Sequence, residues 1–168
     1  NATTAKAKSD IEASVYDGGN GSKTSPYVIN TAEQLAFMAK ISYNIDYGYG
    51  LHFKLGQSLD LSAHYWTPIC FNHPKDYAWK YFMGEFDGDG YSIKVKIDTR
   101  VEGVKRLVNG KEESSDKDYG YGLFSAAKEA YFHDLTISGS IVVQHRAGAL
   151  VYLTRDESII ENIYNFAD

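Results

Sequence analysis

One cysteine cannot close a disulfide within its own chain, and Cys70 is the only one in this sequence. The fold must therefore rest on its core. Cys70 sits between Pro68-Ile69 and Phe71, an apolar setting that points to a buried structural thiol. Long apolar runs are missing too. None approaches the ~18 residues that a membrane-spanning helix needs. There is no excess of positive charge: the net charge is −5, which argues against a nucleic-acid or anionic-membrane partner. Proline is scarce, with 3 copies beside 14 tyrosines and 15 glycines, a balance that favours β-structure. The chain starts at Asn1 with no initiator Met and no signal peptide, as expected of a mature or trimmed chain.

Several chemical signatures are also missing. No G-x-S-x-G occurs, and Cys70 has no activating partner nearby in sequence. The glycine-rich stretch Asp17-Gly18-Gly19-Asn20-Gly21 leads into a strand with no G-K-[ST] after it, so it is not a phosphate loop. His52, His64, His73, His133 and His145 are scattered, and none shows the helical spacing of a zinc pair.

What is present suits one domain: 168 residues, 43% hydrophobic, enough for a real core but not for two. Residues 1–14 read as a flexible leader, and 15–168 as a single β-helix domain. Thr31 and Gln34 form a capping box, and Leu35, Met38, Ile41 and Ile45 follow at helical spacing. A helix is expected from Thr31 to about Asn44 or Ile45. His52 to Leu61 alternates, with Phe53, Leu55, Leu59 and Leu61 inward and Gly56 as a bend. Tyr65 to Ile69 reads as a short strand or corner, and 99–118 as a charged hairpin tip or insertion.

The stretch Tyr81 to Asp98 (YFMGEFDGDGYSIKVKID) reads as strand, tight turn, strand. Ile93, Val95 and Ile97 alternate with polar residues. Tyr131 to Ser138 and Ser158 to Asn165 repeat its second half. Short strands repeating every 20 to 30 residues are the mark of a solenoid. Ile93, Phe132 and Ile160 are expected to stack as one interior column on parallel strands. The helix is expected to cover the open end of that stack.

Five pieces now form an ordered set: YDGGNGSKTSPYVINTAEQLAFMA (16–39), FKLGQSLDLSAHYWTPI (53–69), FMGEFDGDGYSIKVKID (82–98), GLFSAAKEAYFHDLTISG (122–139) and GALVYLTRDESIIENIYN (148–165). In order and spacing the chain resembles bacterial surface proteins that carry the GLUG motif, a right-handed parallel β-helix repeat of secreted or lipid-anchored proteins, mostly from gut Bacteroidales. Cys70, Ser125, Ala149 and Tyr152 stand where that repeat usually has glycine. The resemblance implies a mainly β protein, a short right-handed parallel β-helix with an N-terminal capping helix. It also implies an extracellular or cell-surface location and an adhesin-like role, and it carries over no catalytic residues.

The remaining candidates come from the residues themselves. Phe71, Tyr77, Trp79 and Tyr81 fall in one loop with His73, Lys75 and Asp76, and aromatic faces beside polar groups suit sugar rings. Tyr47, Tyr49, Tyr119 and Tyr121 read as ladder residues flanking turns. Asp87 and Asp89 are the weak metal candidates, set against their use as turn residues, since the EF-hand pattern fails at Ser92 and Lys94. The expected function is a non-catalytic module that binds a glycan or host surface protein, with no cofactor. The alternatives are a small polysaccharide lyase or glycoside hydrolase, and a structural spacer or self-assembly unit. The strand Ser158 to Asn165 has nothing after it to blunt its edge, so the expectation is either that the natural chain continues past Asp168 into further repeats or that two copies form a homodimer through that edge.

Overall fold

The computed structural model describes residues 14–43, 45–71, 79–100, 106–108, 111–113, 120–143 and 146–168. The expected leader, apart from Ser14, lies outside the described residues. The protein is mainly β, and its main sheet is built from parallel strands. Strands β1 (Tyr27–Ile29), β2 (His52–Leu55), β4 (Glu85–Asp87), β9 (Tyr131–Val142) and β11 (Ile159–Ala167) pair in parallel, each with the next. Beside them run β3 (Leu59–Asp60) and β5 (Ser92–Asp98), and β5 pairs with the second half of β9. Strands β8 (Phe124–Lys128) and β10 (Val151–Arg155) form a separate parallel pair. Within the stretch read as an insertion, β6 (Arg106–Val108) and β7 (Lys111–Glu113) make an antiparallel hairpin.

The expected helix forms as α1 (Ala32–Ile41), with Thr31 at its N-cap and the Gln34 capping box closed. It ends earlier than its apolar spacing suggests. Ser42 is wholly buried, and its hydroxyl takes the N–H of Cys70 at 2.9 Å, which fixes the chain's exit there. Ile45 is thus beyond the helix and exposed, and Asn44 lies outside the described residues. Leu35 and Met38 are fully buried, and Ile41 packs partly buried against the core. Phe37 lies edge-on to Tyr16 at 6.2 Å, and Tyr16 in turn packs on Tyr27 and Phe53. The helix is thereby joined to the β1 end of the ladder.

The interior column needs a correction. Register places Tyr27, Phe53, Phe86, Phe132 and Ile160 in line across the five paired strands. Ile93 is not among them; it aligns with Leu59 and Ile137. The reason is the corner. The turn at 87–90 is not a hairpin: β4 and β5 do not pair with each other, and both pair with β9. Strand β9 makes the same bend at Asp134 (φ 53°), and β11 at Asn162 (φ 51°). Phe132 lies before the bend, with Phe86; Ile137 lies after it, with Ile93. The alternation itself holds, since Ile93, Val95 and Ile97 are all buried. So are Phe53, Leu55, Leu59 and Leu61.

A second row closes the core. Tyr47, Phe82 and Ala127 are linked by parallel bridges, and Ile69 bridges to Phe124, which pairs with Val151. Rings of the two rows meet: Phe82 to Phe132 at 5.6 Å, Phe124 to Phe132 at 4.9 Å and Phe86 to Phe124 at 5.3 Å. Cys70 is buried as expected, and burial pushes its thiol up to about 12. At the other end, no strand among the described residues pairs with the outer edge of β11. Ile159, Ile160, Tyr164 and Phe166 are exposed there.

Candidate functional site

Of the expected aromatic patch, Phe71 is turned into the core. Phe71 is fully buried, with its ring 6.2 Å from Tyr43 and 5.6 Å from Tyr121, so it belongs to the core and cannot meet a ligand. Tyr77 lies outside the described residues, as do His73, Lys75, Asp76 and Tyr119. Trp79 and Tyr81 are half-buried. Trp79 packs on Tyr152 at 5.8 Å, and the Tyr81 backbone donates to Asp46. Adjacency along a loop does not make side chains face one way. Tyr47 and Tyr121 are buried ladder residues, as read from sequence, while Tyr49 is exposed.

A groove of about 1020 Å³ lies instead between α1 and residues 60–67. One wall is the helix face made of Ala32, Ala36 and Ala39, whose short side chains leave the space open. The other carries His64, Tyr65 and Thr67, with Tyr43 at one end. Tyr65 is 40% exposed and Tyr43 37%, enough for each ring to offer a surface. The 60–67 segment is held in place from beneath. Trp66 is buried and donates its indole N–H to the Leu123 carbonyl at 3.0 Å, while the Leu61 and Trp66 backbones donate to Lys94 and Lys96. Lys96 also sits over the Tyr65 ring, 4.7 Å from its centre.

Charged groups rim the groove: Glu33, Lys40 and Asp60. Hydrogen bonds from Ser62, with help from Lys94, hold the Asp60 carboxyl below the usual carboxylate range. It is an ionised acceptor at neutral pH, suited to accepting hydrogen bonds from hydroxyl groups. The reading of the sequence missed this site. Its signal was the alanine spacing at 32, 36 and 39 on the helix, with the Tyr65-Trp66 pair further along.

A second polar cluster sits on the outer face of the ladder, where register brings distant residues together. Glu85 Oε2 is 2.9 Å from His52 Nδ1, and Glu85 Oε1 is 3.3 Å from His133 Nε2. The other His133 nitrogen, Nδ1, is 2.8 Å from Asp134 Oδ2 and 3.4 Å from Asp87 Oδ1. Tyr131 stacks on the His133 ring at 4.4 Å and donates its hydroxyl to Glu161 at 2.9 Å. Partial burial works against the His133 cation. The Asp134 hydrogen bond, the Asp87 charge and Glu85 outweigh it, so its pKa stands above the ordinary imidazole value. The His133 and Asn162 hydrogen bonds hold Asp134 below the usual carboxylate range.

Of the two aspartates singled out by sequence, only Asp87 joins this cluster. Asp89 is drawn to Lys54 at 3.2 Å, and its backbone N–H donates to Asp87 in the expected turn. Two of the scattered histidines, His52 and His133, are brought together through Glu85; His145 lies outside the described residues.

No family model matches the chain. No solved structure matches it either. It is similar to a protein of Evansella cellulosilytica whose provisional name is Gly-rich membrane protein, 30% identical over 147 residues. That match covers 83% of this chain and 14% of the relative, so the chain spans a small part of that protein's length. Among the described residues, no helix is long and apolar enough to cross a membrane.

Proposed function

We propose that this chain is a non-catalytic, adhesin-like binding module on the bacterial cell surface or outside the cell, and that it takes a glycan in the groove between α1 and residues 60–67. Its frame is a short right-handed parallel β-helix of the GLUG type, with α1 over the β1 end. The frame reading is supported by the parallel ladder from β1 to β11, in which each strand pairs with its counterpart in the next repeat. The binding reading rests on one observation: exposed Tyr43 and Tyr65 rings share an open groove with the Lys40 and Asp60 charges. Ring faces take the apolar side of a sugar, and charged acceptors and donors take its hydroxyls. The membrane name of the Evansella protein suits a module displayed on a longer surface chain.

A glycan array identifies the ligand, and calorimetry on the best hit tests the site. Tyr65→Ala is expected to weaken binding at least tenfold, while Trp79→Ala leaves it unchanged. A blank array, or binding indifferent to Tyr65→Ala, counts against the groove. The same proposal takes the exposed edge of β11 as a contact between two copies, because unpaired strand edges with apolar side chains recruit another strand. Light scattering over a concentration series should show a dimer that Phe166→Lys weakens. A monomer at every concentration would remove this part.

A further inference from the structure

We propose that Asp87, His133 and Asp134 form a binding site for one divalent metal ion of the zinc class. The ligand atoms are His133 Nδ1, one Asp87 oxygen and one Asp134 oxygen, and they all lie within 4.8 Å of one another. Zinc bonds nitrogen and carboxylate oxygen at about 2.0–2.2 Å, which puts tetrahedral ligands about 3.4 Å apart. The observed 3.4 Å from Asp87 to Nδ1 matches, and the 2.8 Å from Asp134 needs a small opening. Asp134 has room to move, being partly exposed beside a recess of about 320 Å³ that it lines with Gly90, Thr136, Asn162 and Tyr164.

Two features separate this cluster from an ordinary group of surface acids. The first is the imidazole, which faces the two aspartates with one nitrogen and Glu85 with the other. A metal-bound histidine is usually oriented in this way, by a carboxylate on its far nitrogen. The second is the charge balance. Among the described residues, no Lys or Arg pairs with Glu85, Asp87 or Asp134; only His52 and His133 do. Three carboxylates meet two imidazoles, and a dication would settle the excess. The nitrogen ligand selects zinc-like ions over calcium or magnesium. A metal takes Nδ1 only in its deprotonated form, so binding would compete with protons.

Titration calorimetry of the tag-free chain with zinc chloride tests the site. One zinc per chain is expected, with calcium chloride giving no saturable heat. Asp134→Asn should bind zinc at least tenfold more weakly. That variant should fold, because asparagine tolerates the left-handed backbone at 134 and already holds the matching corner at 162. Histidine-selective ¹⁵N NMR provides the second readout: zinc should move the His133 Nδ1 signal and leave His64 in place. No saturable zinc binding, equal binding by Asp134→Asn, or zinc shifts confined to other histidines would each overturn the assignment.

Discussion

Phe132→Ala is expected to lower the free energy of unfolding by about 3–5 kcal/mol, the range for emptying an aromatic site in a packed core. Phe132 is fully buried in the middle of the interior column. Phe86 and Ile160 flank it in register, and Phe82 and Phe124 meet it from the opposite row at 5.6 and 4.9 Å. None of these neighbours can easily collapse into the gap, because strand pairing fixes each of their backbones. Ile160 occupies the same column but is 46% exposed, so Ile160→Ala should cost far less, about 1 kcal/mol. Urea denaturation followed by circular dichroism measures both. Equal losses for the two variants would mean that the column does not pack as described.

The column also shows which features were legible in the sequence. Alternation is local, so the burial of Ile93, Val95 and Ile97 could be read from seven residues. Register is not local. Matching the repeat on its second half put Ile93 beside Phe132, because the corner in β9 is carried by Asp134 rather than by a glycine turn. Aspartate tolerates the left-handed region without requiring it, so the residue type alone does not announce a corner. The helix start was legible for the opposite reason: a capping box is complete within four residues. Its end was not, since that depends on Ser42 meeting Cys70 from far along the chain.

The sites divide in the same way. His133 and Asp134 are neighbours in sequence, but Glu85 and Asp87 reach them only through the β4–β9 pairing. Spacing rules written for helices and loops do not detect ligands brought together across parallel strands. Phe71 failed as a surface candidate because an aromatic loop and an aromatic core look alike in composition. Cys70 is the converse. It stands where the resembling repeat usually has glycine, and its φ of 54° shows why that position favours one. The turn keeps its shape with the strain offset by burial of the side chain and by the Ser42 hydrogen bond.

Glycine is far less replaceable at 139, and Gly139→Ala should destabilise the protein by about 2–4 kcal/mol, from a strained backbone and a steric clash together. Gly139 has φ 109° and pairs with Val95 on one side and Ala167 on the other. A Cβ there would lie 2.0 Å from the Val95 carbonyl oxygen, a backbone atom held in the β5–β9 ladder. Relief requires prising those strands apart, and Val95 and Ile97 are buried between them and the core. Gly90 separates the two causes. It also has a positive φ, 77°, but a Cβ there meets nothing within 4 Å. Gly90→Ala should therefore carry only the backbone penalty, about 1 kcal/mol. Urea midpoints for the two variants, measured side by side, isolate the clash. If they fall together, the close approach of β5 to β9 at Val95 is not what constrains position 139.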